Sequence, residues 1–258
     1  MTFRRPPEKG RCLVPTPPLM IETEGLSKRY GRRRAVELLT FAVAAGQICA
    51  LLGPNGAGKT STMRMLVGLA KADAGTVRIA DQSVSLGAPI LRRVGVLIDG
   101  PASVPHLTGI ANLRLLWGAS GRAWPPRGLT DALDLAGLGP AIDHKVKSYS
   151  MGMKQRLMLA NALMRDPDVM ILDEPANGLD PAEVRALRQH LAARAATGAS
   201  VLISSHQLAE VQLLASHAVV LNRGRLVTAG TLDTLLGAHQ SLEDAYLAMT
   251  DGSDRAAL

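Results

Sequence analysis

Short apolar runs bounded by turn residues recur in the first third of the chain and predict β-strands. They lie at residues 21–24, 40–43, 48–52 and 77–80. A glycine-rich segment follows the third run, and residues 62–69 then place apolar side chains at helical spacing. The pattern predicts a strand, a tight turn and a helix in direct succession.

Between about residues 101 and 166 the pattern changes to helices separated by turn residues. Helices are predicted over residues 107–120, 121–128 up to a stop at Pro125 and Pro126, 130–136 and 150–165. Strand character is interrupted over this whole stretch. We therefore interpret it as a helical insertion.

Strands and helices alternate after the insertion. Strands are predicted at residues 169–172, 201–204 and 218–221, with helices at 181–196 and 207–214 between them. Asp180 suits the N-cap of the first helix and Pro181 its first turn. This βαβ alternation predicts a parallel sheet.

The C-terminal region adds one more strand at residues 226–229, followed by residues 231–236 and by helical spacing over 241–249. We expect the last helix to pack on the body of the protein. A regulatory or partner-docking element is the less favoured alternative.

Composition limits the classes of protein to consider. At 258 residues, one α/β domain with an insertion and two separate domains are both compatible with the chain. No apolar run is long enough to span a bilayer, so we expect any membrane link to run through a partner. The net charge of +7 suggests nucleic acid, but the basic residues are dispersed and aromatic residues make up only 3%. We expect no nucleic-acid partner, although the basic cluster at 28–34 could face anionic headgroups or a nucleotide.

The chain ends and the cysteines carry further expectations. Residues 1–19 read as a disordered leader, with Met20 as an alternative start, residues 20–250 as the folded part with its helical subdomain at about 100–166, and 251–258 as a tail. Two cysteines, Cys12 and Cys49, cannot build a disulfide framework, which fits a reducing cytoplasm.

The glycine-rich segment matches the complete phosphate-loop pattern and has the strand-to-helix context that the motif requires. Its backbone N–H groups and the helix N-terminus can hold a phosphate, its lysine can reach the outer phosphates, and its threonine can ligate Mg²⁺. A nucleoside triphosphate with its metal is the implied ligand, against the alternative of a turn that binds nothing. The predicted binding residues are Gly53, Pro54, Asn55, Gly56, Ala57, Gly58, Lys59, Thr60 and Ser61.

Two acids follow the predicted strand at residues 169–172. Ligands of open α/β sheets bind at this end of a strand. We assign Asp173 to Mg²⁺ and Glu174 to the attacking water. A helix-capping pair is the alternative, but the Pro175 and Asn177-Gly178-Leu179-Asp180 that follow favour function.

With these motifs the chain resembles the ATP-binding subunit of ABC transporters from about Ile21 onward. Residues 149–156, Tyr-Ser-Met-Gly-Met-Lys-Gln-Arg, occupy the place of that family's signature segment. Ser150 and Gly152 match LSGGQ, whereas Tyr149, Met151 and Met153 depart from it. The resemblance implies a phosphate-loop NTPase core with a mostly parallel sheet, an N-terminal antiparallel β part and an inserted α-helical subdomain.

The same resemblance assigns further site residues. It implies that Ser150 and Gly152 bind the γ-phosphate of ATP held by another subunit, and that Asp180 closes a loop at the dimer interface. His206 matches the switch histidine that contacts the γ-phosphate, and Tyr30 matches the aromatic residue that stacks on adenine. Tyr30 could equally be a half-buried residue of an edge strand.

Asp99 departs from the family, which normally has Gln at this position. Together with residues 105–108 and the signature segment, it looks like the branch of bacitracin- and lantibiotic-type export or immunity ATPases. We hypothesise that Asp99 senses Mg²⁺ through a water molecule, as the family's residue does.

The resemblance implies an ATPase that powers export of a drug, antibiotic or peptide. It implies a dimer of such subunits, or one with a close relative, at the cytoplasmic face of the membrane, with separate membrane-spanning subunits. A soluble ABC-type ATPase acting on ribosomes or nucleic acid is the alternative, supported by basic charge alone. A phosphate-loop kinase or GTPase would leave the signature segment and His206 unexplained.

Overall fold

Two β-sheets and a helical region make up the described part of the chain. The structure is a computed structural model and describes residues 17–100 and 103–255. Its strands are β1 (Leu19–Tyr30), β2 (Arg33–Ala44), β3 (Ile48–Leu52), β4 (Ala74–Ile79), β5 (Gln82–Ser83), β6 (Val94–Leu97), β7 (Val169–Asp173), β8 (Ser200–Ser204), β9 (His217–Asn222) and β10 (Arg225–Thr231). Its α-helices are α1 (Lys59–Leu66), α2 (Gly109–Gly118), α3 (Leu129–Ala136), α4 (Met151–Leu163), α5 (Pro181–Ala196), α6 (Leu208–Leu214), α7 (Leu232–Leu236) and α8 (Leu242–Arg255).

The larger sheet has the order β10-β9-β3-β8-β7-β6. Every pair from β9 to β6 is parallel, and β10 is an antiparallel edge strand. Strand β3 is central and all five of its residues are buried, as expected for a parallel strand covered on both faces. The smaller sheet is antiparallel, in the order β2-β1-β4-β5.

Helix α1 lies between the two sheets. Its Met63 and Leu66 are fully buried in one hydrophobic cluster with Leu26 and Leu39 of the antiparallel sheet and with Leu51 of β3. Burying this apolar face against both sheets stabilises the helix far more than its own eight residues could. The N-terminus of α1 is thereby fixed against the end of β3.

The helices α2, α3 and α4 lie between β6 and β7 in the chain. Helix α4 approaches the edge strand β6 so closely that a Cβ atom at Gly95 of β6 would lie 2.5 Å from the Ala162 carbonyl oxygen. Leu157, Leu159 and Leu163 of α4 are buried in the second hydrophobic cluster, together with strand residues of the larger sheet. The helical part is therefore packed directly on the sheet edge.

The structure corrects several predicted boundaries. Residues 121–128 contain no helix, because Pro125 and Pro126 supply no backbone N–H and cannot continue one. Helix α1 begins at Lys59, inside the phosphate loop, and the last helix continues to Arg255, through residues predicted to be tail. Strands β1 and β2 are much longer than predicted, since their polar ends form a hairpin that carries no apolar signal. Most of the predicted leader, residues 1–16, lies outside the described residues.

In the described ranges, none of the helices has the length and apolar character needed to cross a membrane.

Candidate active site

The carboxyl ends of three neighbouring parallel strands meet at one edge of the larger sheet. Leu51 of β3 pairs with Ser204 of β8, and Ser204 in turn pairs with Asp173 of β7. The phosphate loop leaves β3 one residue after Leu52. The sheet order therefore places the loop, Asp173 and Ser204 side by side, at the edge where open α/β sheets bind their ligands.

Glycines make the shape of the phosphate loop possible. Gly53 and Gly58 have φ angles of 155° and 107°. A Cβ atom would lie 2.5 Å from the Leu221 carbonyl oxygen at Gly53 and 2.4 Å from the Ala35 carbonyl oxygen at Gly58. Only residues without a side chain fit here. The loop is thus pressed between the neighbouring strands, and it ends on the first turn of α1.

Lys59 folds back over this loop. Its Nζ donates to the Gly53 carbonyl oxygen at 2.6 Å and to the Pro54 carbonyl oxygen at 3.4 Å, and the residue is only 8% exposed. Burial lowers the pKa of Lys59, an effect that the charges of Glu174 and Asp173 oppose. The ammonium group is therefore held close to two carboxylates in a site that an anionic phosphate chain would complete.

Thr60 and Asp173 bring two hard oxygen ligands together. The Thr60 hydroxyl donates to Oδ2 of Asp173 at 2.7 Å. The Ser204 hydroxyl donates to the other carboxylate oxygen, Oδ1. Asp173 is thereby fixed at both oxygens. A hydroxyl and a carboxylate in contact are the donor set that Mg²⁺ accepts alongside phosphate oxygens and water.

Glu174 is held through its backbone as well as its side chain. Its N–H donates to the Ser204 hydroxyl at 2.9 Å, and its carbonyl oxygen accepts from Nε2 of Gln155 at 3.3 Å. Its φ angle is 48°, which a residue other than glycine rarely adopts. Glu174 Oε2 lies 2.7 Å from His206 Nδ1, and since a carboxylate can only accept, the ring donates.

Lys59, Thr60, Asp173 and Glu174 line one pocket of about 470 Å³, a volume typical of small-molecule sites. Tyr30, at the end of β1, stands at its wall with 44% of its surface exposed, and Lys28 Nζ lies 5.5 Å from its ring centre. The pocket-lining residues are Tyr30, Arg33, Ala35, Asn55, Gly56, Gly58, Lys59, Thr60, Ser61, Asp173 and Glu174. An aromatic face, a phosphate loop and two carboxylates are therefore open to the same space.

Ser150 and Gly152 are not among the described residues that line this pocket. The Ser150 hydroxyl caps α4 by accepting the Met153 N–H at 3.2 Å, and Met151 is 68% exposed. A Cβ atom at Gly152 would lie 2.5 Å from the carbonyl oxygen of Gly178. Ser150 and Met151 of the predicted signature segment are thus exposed at a helix N-terminus, and Gly152 packs against the loop that precedes α5.

Tyr149 shows why this segment departs from the family pattern. The residue is 5% exposed and its hydroxyl donates to the Ala141 carbonyl oxygen at 2.6 Å. The ring therefore serves as a buried anchor for the start of α4. An apolar residue with a polar tip fits this position because the tip finds a partner.

Asp180 has a structural contact of its own. It is the N-cap of α5, and its side chain accepts the Glu183 N–H while Glu183 Oε2 accepts the Asp180 N–H, both at 2.9 Å. This reciprocal capping box fixes the end of the loop that contacts Gly152.

Asp99 is not among the described residues that line this pocket. Its two carboxylate oxygens accept from Nε and Nη2 of Arg64, on α1. Arg64 lies one helical turn beyond Thr60, so Asp99 is attached to the flank of the phosphate-loop helix. Among the described residues no cluster of three or more His, Cys, Asp or Glu side chains could hold a metal ion.

Sequence reasoning missed the roles of Ser204, Gln155 and Arg64, and it included Arg33 only as part of the basic cluster at 28–34. Ser204 has a usable signal, because a polar residue that ends a buried parallel strand faces the ligand edge of the sheet. Gln155 and Arg64 become visible only when distant segments are brought together, since Gln155 reaches Glu174 and Arg64 reaches Asp99.

The geometry agrees with comparisons to known proteins. The family model described as ABC transporter matches residues 36–177. A second model, for an AAA domain described as a putative AbiEii toxin of a type IV toxin–antitoxin system, matches residues 143–212, which do not include the phosphate loop. The chain belongs to the ABC transporter family and is an ATP-binding cassette of the ATPase type, which confirms the predicted family and fold class.

Relatives with assigned roles cover most of the chain. The Nod factor export ATP-binding protein I of Paraburkholderia xenovorans (strain LB400) is 38% identical over 86% of this chain and 74% of its own length. The bacitracin transport ATP-binding protein BcrA of Enterococcus faecalis is 39% identical over 81% of this chain and 68% of its own. The solved structure of an ATP-binding subunit of an ABC transporter superposes with a TM-score of 0.82 at 31% identity, covering 90% of this chain and 99% of that one.

Proposed function

We propose that this chain is the ATP-hydrolysing subunit of an export system. It acts at the cytoplasmic face of the membrane, through separate membrane-spanning subunits and together with a second copy of itself or a close relative. The relative named for Nod factor export supports the direction of transport, and the one named for bacitracin transport supports a transport role. An antibiotic, drug or peptide is the proposed class of cargo.

The observation that best supports the proposal is that two phosphate-binding elements of this chain lie apart from each other. The phosphate loop, Asp173 and Glu174 line one pocket, whereas Ser150 and Gly152 lie outside it at the start of α4. A helix N-terminus with a free approach is a phosphate-binding element in its own right. Two copies related by a two-fold axis supply a loop and a signature segment to each of two sites.

The chain's own residues fit a nucleotide in the pocket. Gly53 and Gly58 leave no room for a Cβ atom. A glycine-rich loop of this kind can turn its backbone N–H groups toward a phosphate chain. Lys59 would exchange its carbonyl contacts for the outer phosphates, Tyr30 would stack on adenine, and Asp180 would position the loop at the dimer interface.

Mg²⁺ fits the oxygen donors of Thr60 and Asp173. When bound with ATP it would neutralise charge on the transferred phosphoryl group. The Thr60 hydroxyl would turn from the Asp173 carboxylate to the ion, and Ser204 would keep Asp173 in place. Asp99 would contribute through a water molecule, which requires its pair with Arg64 to open.

Glu174 and His206 are the proposed catalytic residues beside Lys59. Ser204 and Gln155 hold the backbone of Glu174 and His206 holds its carboxylate, so this group can be presented to a water molecule at small entropic cost. His206 now donates to that carboxylate and would contact the γ-phosphate once the nucleotide is in place. Loss of the γ-phosphate removes these contacts and lets the pair of subunits separate.

Membrane recruitment tests the proposal. The chain is co-expressed with the membrane-protein genes of its own host, solubilised in mild detergent and captured by an affinity tag, with a Lys59→Ala variant as the control for nucleotide dependence. Co-purification of a polytopic membrane protein, with ATPase activity lost in Lys59→Ala, supports the proposal. Capture of ribosomes or nucleic acid without any membrane protein contradicts it and favours the soluble alternative.

A further inference from the structure

The tip of the β1–β2 hairpin brings a second cation to the nucleotide pocket. Tyr30 and Arg33 are register partners that flank a two-residue turn, in which Gly31 has a φ angle of 58°. Both side chains line the pocket. The hairpin therefore presents an aromatic ring and a guanidinium group to the same ligand space.

Arg33 lies directly on the phosphate loop. Its Nη2 donates to the Gly56 carbonyl oxygen at 3.0 Å, and a Cβ atom at Gly56 would lie 2.7 Å from that same nitrogen. A side chain at Gly56 would displace the guanidinium. Glycine is therefore favoured here both by this contact and by the positive φ angle of 83°. This position is the middle of the loop, whose neighbouring N–H groups surround a bound phosphate.

The neighbouring arginine is occupied elsewhere. Arg34 Nη1 donates to Glu37 Oε1 at 2.7 Å, and Arg225 Nε donates to the other oxygen of Glu37 at 3.0 Å. These cations lower the pKa of Glu37, with Arg225 as the first cause. Arg34 does not line the pocket, whereas Arg33 does, and no carboxylate within the described residues forms a salt bridge with Arg33.

We propose that Arg33 binds the phosphate chain of the nucleotide, as a second cation beside Lys59. A guanidinium has five N–H donors, so the contact with Gly56 leaves others for phosphate oxygens, which it can bind in a forked geometry. The inference rests on the proposed nucleotide site. It adds a binding residue from outside the phosphate loop and ties the position of the hairpin tip to the ligand.

Binding of a nucleotide series tests this role. The dissociation constants of ATP, ADP, AMP and adenosine are measured by calorimetry on the wild type and on Arg33→Gln and Arg34→Gln. The two variants lose the same charge from adjacent positions. Arg33→Gln is expected to weaken ATP and ADP by roughly tenfold or more, and adenosine not at all. Arg34→Gln should change each constant by less than about twofold.

Other outcomes of these binding measurements would overturn or support the role of Arg33. Equal effects of the two variants would mean that Arg33 acts only through general surface charge, and they would overturn the inference. A loss that is the same for adenosine as for ATP would place the contact on the base or ribose and overturn it as well. Wild-type protein that binds no ATP at all would instead overturn the proposed site. Partial recovery of ATP affinity in Arg33→Lys would support the inference, since lysine keeps the charge but lacks the forked geometry.

Discussion

Arg64 and Asp99 form a bidentate ion pair, with Nε and Oδ2 2.8 Å apart. The pair joins α1, which begins in the phosphate loop, to the residue that follows β6 and leads toward the helical part. Asp99 is the first cause of the raised pKa of Arg64, and Tyr30 contributes in the same direction. The pair thus joins the phosphate-loop helix to the segment that leads toward the helical part.

This pair is expected to be weak but measurable. The side chains are 40% and 42% exposed, so water screens their attraction. A double-mutant cycle with Arg64→Ala and Asp99→Asn, measured by urea unfolding, should give a coupling of about 0.5–1 kcal/mol that decreases with added salt. The same cycle on Arg93 and Asp168, an ion pair of similar exposure, serves as the control. Additive effects of the two substitutions would show that the pair contributes nothing.

Asp99 also carries the hypothesis of Mg²⁺ sensing. If the carboxylate meets the ion through water after the pair opens, Asp99→Ala changes the Mg²⁺ dependence of ATP turnover. If ATP turnover and its coupling to transport remain unchanged in this variant, Asp99 has a structural role alone.

Gly152 is expected to tolerate no side chain. A Cβ atom there would meet the Gly178 carbonyl oxygen at 2.5 Å, and both partners are backbone that cannot rotate away. Gly152→Ala should therefore lower the free energy of unfolding by about 1–3 kcal/mol and disturb the signature segment. Gly118→Ala, in a helix with nothing within 4 Å of its Cβ position, should be neutral or stabilising. The comparison is made by thermal unfolding, and similar effects at both sites would refute the steric argument.

Ser204 is expected to act as a positioning residue for both acids. Its hydroxyl donates to Asp173 and accepts the Glu174 N–H, so Ser204→Ala leaves a partly buried donor without a partner. We expect kcat for ATP to decrease by roughly tenfold, about 1.4 kcal/mol, with a smaller change in KM. Ser200→Ala, on the same strand, removes a bond to the Ala44 carbonyl oxygen and should leave kcat near the wild-type value. Equal losses of kcat in the two variants would contradict a specific role.

Cys49 predicts a loss of stability at alkaline pH. Burial in β3 raises the pKa of this thiol from 9.0 to about 12. Between these values the unfolded chain releases the thiol proton and the folded chain keeps it. Stability contributed by the neutral thiol is therefore complete below pH 9 and decreases as the pH rises, by at most about 1.4 kcal/mol per pH unit.

The test compares Cys12→Ser with a variant that also carries Cys49→Ala. Only the first should show this slope above pH 9 in urea unfolding, and its remaining thiol should react with a thiol reagent only when the chain opens. Parallel pH profiles of the two variants would mean that Cys49 titrates alike in both states.

The sequence predicted the parts of the fold that rest on local pattern. Strand β3, the phosphate loop and Asp173 carry strong signals, because a fully apolar run, fixed glycine spacing and an acid at a strand end all fall within a few residues. The hairpin tip between β1 and β2 was missed because its residues are polar on both faces. The contacts of Asp99 and Gly152 could not be predicted, since Arg64 and Gly178 reach them only through tertiary packing. Residues 121–128 show the opposite error, in which two prolines outweighed the expected helix.

ATP turnover and sizing of a Glu174→Gln variant show whether Glu174 drives hydrolysis in a dimer closed by ATP. Amide substitution keeps the shape of Glu174 but removes the base that orients water, so hydrolysis should stop while ATP and Mg²⁺ still bind. We expect the wild type to hydrolyse ATP and Glu174→Gln to elute as an ATP-bound dimer in sizing chromatography. An exposed control, Glu243→Gln, should behave as the wild type. A Glu174→Gln variant that hydrolyses ATP at the wild-type rate and elutes as a monomer would contradict this expectation.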